Sequence, residues 1–399
     1  MRIRKTLWNN DAEPIMVIMF ILMVLGTINV FSSSYVKATL ENGTPYFFLI
    51  RHCVFLIVGL VCFCIIRRID YMRWRSFIVV ALFLTIAALI AVFFVGYEVN
   101  GSRRWIPLPV VGAFQPAEFA KLIAIMLAAA VLSYRVKRKK KATICNLQYG
   151  LIALMAGLTE KEPDMGTAAI IMGIPIIMAF VAGLSKKEKS VLWTLLLVGI
   201  PFFVATQSYR LERVKIMFDP WADAQNKGYQ MVQSLCTIGS GGFFGMGLGD
   251  GVSKYAYLPE GHTDFAFAIF CQEHGFIGAL FVFALMALLI IFCLRIANRA
   301  NEEFGQLLAM GIMILIAGQG IANMAMVGGI LPVVGVPMPF ISYGGSSLVV
   351  TMIAMGLLLS ICDHSEKNKT ETDKAVSGDA KKEAKAIADK DNKKLYLVK

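Results

Sequence analysis

Apolar runs long enough to cross a bilayer recur along almost the whole chain, and clusters of basic residues separate them. That pattern predicts an all-α fold, a polytopic membrane protein of about ten transmembrane helices with a long extracytoplasmic loop between helices 7 and 8. Composition agrees: 57% of the 399 residues are hydrophobic and the mean hydropathy is +0.66, outside the range of soluble globular domains. The net charge is +12, and the tail 363–399, with ten Lys against eight Asp and Glu, supplies only +2 of it. The excess therefore sits between the apolar runs. There it orients a membrane protein by its cytoplasmic loops and gives no reason to expect a nucleic-acid partner. Eight cysteines form no disulfide framework, and Cys53, Cys62, Cys64, Cys271 and Cys293 read as small hydrophobes inside apolar runs.

Taken in order, the first run, about Pro14 to Phe31, follows Arg2, Arg4 and Lys5 and shows no small-residue cleavage site, so it is expected to stay as a helix. The second, about Tyr46 to Ile66, ends in Arg67-Arg68, and the third, about Trp74 to Val95, follows Arg73 and Arg75. An external loop with Arg103, Arg104 and Trp105 leads to a fourth run opened by Pro116, where Glu118 and Lys121 stand three apart, on one face of the helix, placed to pair inside the bundle. Six basic residues between Arg135 and Lys141 mark a return to the cytoplasm. The fifth run, about Leu147 to Leu158, is short, and Thr159 to Thr167 interrupts it with charge, Pro and Gly. Either a broken helix lines a cavity here or a tight outer hairpin joins two spans. Spans follow at about Ala168 to Leu184 and Val191 to Ala205, then at about Phe265 to Cys293, Gly305 to Met326 and Ser347 to Ile361.

The segment from Gln207 to Thr263 is the long outer loop, without obvious secondary structure but too apolar and aromatic for disorder. Its glycine-rich run Gly239 to Gly249 lacks the strand and lysine of a phosphate loop. Domain organisation is expected to be one transmembrane domain, 1–362, followed by a disordered basic cytoplasmic tail, 363–399.

The densest chemistry lies at Tyr257 to Phe267, where Glu260, His262 and Asp264 precede an apolar run. A carboxylate at the mouth of a span is a functional-site hypothesis, because charge there is costly unless it meets water or a partner. The alternative is that Asp264 caps the next helix. His262 reads either as a donor facing a ligand or as part of a rigid loop.

Six stretches, in order, resemble the SEDS (RodA/FtsW/SpoVE) family of shape, elongation, division and sporulation proteins: Gly101 to Ile106, Phe114 to Glu118, Glu162 to Thr167, Gly228 to Gln230, Leu258 to Phe265 and Ile341 to Ser347. The Arg-Arg-Trp and Glu-Pro-Asp forms resemble the division and sporulation branch more than the elongation branch. Departures are Ala117, where the family usually has Ser, and Gln272 before Glu273, where a second acid is common.

The resemblance implies a peptidoglycan glycosyltransferase that polymerises lipid II at the outer face of the bacterial cytoplasmic membrane, with both termini inside. It implies Asp264 as the catalytic residue. A diphosphate leaves readily once its charge is met, so one base suffices to take the proton from the attacking sugar hydroxyl. Substrate-binding candidates are Arg103, Arg104, Trp105, Glu118, Lys121, Asp164, Gln233, Glu260, His262 and Ser342. Arg103 and Arg104 are favoured for the diphosphate over Arg210, Arg213 and Lys215, with a divalent cation (Mg2+ or Mn2+) as a candidate aid. For Glu118, Lys121 and Asp164 a pairing role comes first. The implied partners are lipid II, a class B penicillin-binding protein, other divisome or cell-wall proteins and the membrane. The competing readings are a lipid II flippase, an elongation-type polymerase and a recruiting scaffold.

Overall fold

A computed structural model describes residues 10–99, 102–108, 112–206, 208–251 and 258–366. Gly101, Tyr257, the first basic residues and the tail after Glu366 lie outside the described residues. The chain is a helical bundle capped at one end by a small sheet and a group of short helices. Seven helices are long and apolar enough to cross a membrane: α1 (Ala12–Asn42), α2 (Phe47–Arg68), α3 (Tyr71–Val95), α4 (Pro116–Lys137), α11 (Ala266–Arg299), α12 (Glu303–Val327) and α13 (Gly345–Glu366). Between α4 and α11 the helices are shorter: α5 (Leu147–Lys161), α6 (Met165–Val181), then α7 (Lys186–Thr194) running through a π turn, Leu195–Gly199, into α8 (Ile200–Ala205). The ten crossings expected from the sequence rest on these three shorter segments also spanning.

Small side chains set the centre of the bundle. α4 buries Ala117, Ala120, Ala124, Ala128 and Ala129 and packs against α3, α6 and α12. α2 and α3 lie outside with large apolar residues such as Phe77 and Phe83 exposed, as a lipid-facing surface requires.

The basic end is tied by ion pairs between distant helices. Asp11 meets Arg299, and Arg67 reaches Asp363 at 2.8 Å. α13 therefore continues past the expected domain boundary at 362, because Asp363 is held by Arg67 and the Ser365 hydroxyl donates to the Ile361 carbonyl.

At the opposite end, the segment between α3 and α4 forms three antiparallel strands, β1 (Tyr97–Val99), β2 (Ser102–Leu108) and β3 (Gly112–Phe114), in that order. Tyr97 pairs with Trp105 and Ile106 with Phe114. The long loop after α8 is also more regular than its sequence suggests. It holds α9 (Ser208–Phe218) and α10 (Tyr229–Ser240), separated by a 3-10 turn that the Asp219 carboxylate starts by accepting from the Ala222 N–H. α10 anchors itself by burying Met231 and Val232 and by the Ser234 hydroxyl, which donates to the Val327 carbonyl.

α11 is two helices in one line. Gly275 takes φ 65°, ψ −165°, a conformation essentially confined to glycine. The glycine-rich run fills the break. The Met246 and Gly247 N–H groups donate to the Gln272 and Glu273 carbonyls, and the Phe276 and Ile277 N–H groups donate to the Gly242 and Phe243 carbonyls. The glycines that the sequence leaves without a role therefore permit close backbone approach to a helix.

Candidate functional site

Asp264 sits near the end of a compact turn, 258–265, whose backbone is held from several sides. Leu258 and Phe265 are buried with Ile269, Met326 and Val327. The Asn323 amide donates to the carbonyls of Asp264 and Val336, each at 2.7 Å. The Tyr343 N–H donates to the His262 carbonyl at 2.9 Å, and the Thr263 hydroxyl donates to the Glu260 carboxylate at 2.9 Å. α11 begins at Ala266 with no side-chain cap, so Asp264 does not serve as one. Its carboxylate has no hydrogen-bond partner among the described residues.

That carboxylate stands where two cavities meet. The larger has a volume of about 670 Å³ and the smaller about 250 Å³. Arg104, Asp164, Arg213, Glu260, Asp264 and Gly335 line both. The larger is the more polar of the two and opens toward Trp105, Lys37 and Arg51, whereas the smaller is walled by Val204, Val214, Pro332, Val333 and Val334. Burial, with the Glu260 and Asp164 carboxylates adding to it and Arg104 and Arg213 opposing, pushes the Asp264 carboxyl up to about 7. A base poised near neutrality is what proton abstraction from a hydroxyl needs.

Asp164 starts α6, accepting from the Thr167 N–H, and also accepts from the Gln115 side chain at 3.1 Å. Arg104 Nη1 lies 3.8 Å away. The interruption is therefore a tight hairpin, with Glu162 to Asp164 turning α5 into α6, and Asp164 at its tip also faces the cavity. Lys121 Nζ sits 2.8 Å from Glu118 Oε2 with both side chains buried. Glu118 reaches the larger cavity and Lys121 lies behind it. His262 is buried against Phe48, ring centres 4.7 Å apart, and Tyr343, 5.8 Å apart. Burial and then Lys37 push its imidazole down to about 4. It is thus a neutral ring on the cavity wall with its backbone fixed.

Three candidates stand elsewhere. Successive side chains alternate along a strand, so Arg104 turns in to the Glu162 and Pro163 carbonyls while Arg103 turns out, 3.7 Å from Glu98, with its side chain 57% exposed. Arg103 lines neither cavity. Gln233 is one turn too far along α10, and Gln230 reaches the smaller cavity instead. The Ser342 hydroxyl is buried and accepts the Met338 N–H, which locks the turn beneath Tyr343.

Among the described residues no group of three or more His, Cys, Asp or Glu is placed to hold a metal ion.

Residues 13–367 match the profile of the family described as cell cycle protein, FtsW/RodA/SpoVE. The chain belongs to this family. Its relatives include a protein of Trichlorobacter lovleyi named "Probable peptidoglycan glycosyltransferase FtsW", 37% identical over 88% of this chain and 93% of its own. The stage V sporulation protein E of Bacillus subtilis is 37% identical over 88% of this chain and 96% of its own. Among solved structures, the fold matches one described as "Structural coordination of polymerization and crosslinking by a peptidoglycan synthase complex" with TM-score 0.71 and 26% identity, over 88% of this chain and 97% of that one. It also matches the rod shape determining protein RodA of Thermus thermophilus, with TM-score 0.63 and 26% identity over 88% and 95%.

As a member of the FtsW/RodA/SpoVE family, the chain is a multi-pass membrane protein. Two site residues were missed in the sequence, Lys37 at the end of α1 and Arg51 at the start of α2, both lining the larger cavity. Arg51 lies over the Phe47 ring at 4.2 Å and meets the Tyr343 hydroxyl. The rule that drew attention to Asp264, charge at the mouth of a span, applies equally to Arg51 and would have found it.

Proposed function

We propose that the chain is a peptidoglycan glycosyltransferase that joins lipid II units into glycan strands at the outer face of the cytoplasmic membrane. The observation that carries this reading is the Asp264 carboxylate, without a hydrogen bond among the described residues and set between two adjoining cavities. A polymerase must hold a donor and an acceptor on either side of one base. Asp264 takes the proton from the acceptor's sugar hydroxyl, the freed oxygen attacks the donor's anomeric carbon, and the bond from that carbon to the diphosphate breaks with inversion. The diphosphate leaves with the bonding electrons. Arg104, Arg51, Lys37 and Arg213, which line the larger cavity, meet its charge. Trp105 offers a ring to a sugar or lipid, and Glu118 with Lys121 keeps the wall in shape.

A divalent cation enters this reading only as a counter-ion carried on the diphosphate, since the described residues offer no three-ligand site. No step passes through it. The basic end of the bundle faces the cytoplasm, which puts both termini inside and the cavities outside. Similarity to a structure described as a peptidoglycan synthase complex supports a class B penicillin-binding protein as partner. The FtsW and sporulation names of the relatives support a role in division or sporulation.

The test is polymerisation of labelled lipid II by the purified protein, with and without the partner and Mg2+, comparing wild type with Asp264→Asn. Glycan strands are expected from wild type alone. Strands from both would remove Asp264 from the reaction, and lipid II transport without polymerisation would favour the flippase.

A further inference from the structure

Glu273 is a buried carboxylic acid in a membrane-spanning helix, and the polymerase chemistry does not use it. An acid there is costly unless something holds it. Three elements converge on this one. The Ser32 hydroxyl of α1 donates to its Oε1, and so does the Gly249 N–H of the glycine-rich segment, at 3.1 Å. Its own carbonyl accepts the Gly247 N–H at 3.1 Å. The residue therefore clamps α1, the glycine-rich segment and α11 at a single point.

That point is next to the break in α11. The break leaves a half-helix, Ala266 to His274, which starts two residues after Asp264. A helix end inside a membrane must find partners for its free carbonyl and N–H groups. The segment 241–249 supplies them on both sides of Gly275, as described above. At the other end of the half-helix, Asn29 of α1 donates to the Ala266 carbonyl at 3.0 Å. Asn29 and Ser32 are three apart on α1 and share a face, so α1 holds the half-helix at both ends. A rotation about Gly275 would move Asp264 relative to the two cavities. It would first have to break the contacts at Glu273.

We propose that Glu273 is a positioning residue for Asp264, latching α1 and the glycine-rich segment to the half-helix that follows it. This rests on the polymerase reading of Asp264. The segment 241–249 thereby acts as a strap whose seating sets where the base stands, which couples the outer loop to the chemistry without touching substrate.

The experiment compares wild type, Glu273→Ala, Glu273→Gln, Ser32→Ala and Asp264→Asn as full-length protein with its partner, measuring kcat and KM for lipid II polymerisation. Thermal unfolding in detergent is followed in parallel. A misplaced base loses rate more than affinity, so Glu273→Ala is expected to drop kcat by about a hundredfold with KM changed by less than about threefold. Glu273→Gln keeps the acceptor oxygen and is expected to restore most of kcat. Ser32→Ala removes one contact and should lower kcat by about tenfold. Combined with Glu273→Ala, it should add nothing further. If Glu273→Ala fails to fold, Ser32→Ala decides. Either variant polymerising within about twofold of wild type overturns the latch, as does a loss that falls on KM alone. Activity in Asp264→Asn would instead overturn the polymerase reading, leaving the two failures distinct.

Discussion

Lys121 Nζ lies 2.8 Å from Glu118 Oε2, one turn inside α4, with side-chain exposures of 1% and 5%. Two charges buried this deeply depend on each other. Removing one partner strands the other, so Glu118→Gln or Lys121→Met alone is expected to destabilise the fold by about 3–5 kcal/mol. The double variant should recover most of that loss, because it removes both desolvation penalties. Thermal unfolding in detergent of the two singles and the double closes the cycle. A double variant as unstable as the worse single would show that the pair does not act as a unit.

The Asp264 carboxyl, raised to about 7 by burial and by Glu260 and Asp164, must be ionised to act as a base. The rate should therefore fall as pH drops through about 7. Glu260→Gln removes one of the carboxylates that raise it, so the acid limb should shift to lower pH. A limb that stays in place, or moves up, would show that another group controls the rate. Stability carries the opposite sign. A carboxyl whose folded value is raised binds its proton more tightly in the folded chain, so the fold loses stability as pH rises from the unfolded carboxyl value, near 4, through about 7. Asp264→Asn removes that loss. It is expected to melt at or above the wild-type temperature at pH 8 while making no glycan.

Glu162 closes α5, and neither of its carboxyl oxygens has a hydrogen-bond partner among the described residues. Burial, then the Asp164 carboxylate, push it up to about 8, against Arg104. At pH 7 it is mostly neutral, so Glu162→Gln replaces one uncharged group by another of the same shape. Unfolding should change by less than about 1 kcal/mol and polymerisation should persist. Glu162→Lys puts a cation into the same buried turn and should abolish folding. Inactivity of Glu162→Gln with an intact fold would mean that Glu162 works as an ion.

Much of this site was legible in the chain because membrane burial penalises charge uniformly, so each exception stands out. Asp264 at the mouth of a span and the spacing of Glu118 and Lys121 both surfaced that way. The sheet between α3 and α4 did not, since its outer strands have three residues each and its pairing is set by partners rather than by local pattern. α9 and α10 look irregular in the sequence because their apolar faces are short, and they are fixed by contacts such as that of Ser234 with Val327. The choice between Arg103 and Arg104 depends on strand phase, and the choice between Gln230 and Gln233 on position along α10. Neither is visible until the element is placed.

Gly335 offers the most direct probe of the space around the base. Its φ is +70°, and a Cβ built there would lie 3.3 Å from Asp264 Oδ2. Alanine meets two separate difficulties. The left-handed backbone disfavours any side chain by about 1–2 kcal/mol, which is tolerable in a bundle of this size. The methyl group, by contrast, takes up room on the face of the carboxylate that both cavities share. Gly335→Ala should therefore fold, melting a few degrees lower at most, while kcat falls by about tenfold or more as the acceptor hydroxyl loses its line to the base. Gly335→Asn separates the two effects. Asn adopts the left-handed region more readily than Ala but adds a larger side chain, so it should be the more stable of the two variants and the less active. If activity instead follows stability across Gly, Asn and Ala, backbone strain alone accounts for the loss, and the space beside Asp264 is not where the acceptor approaches.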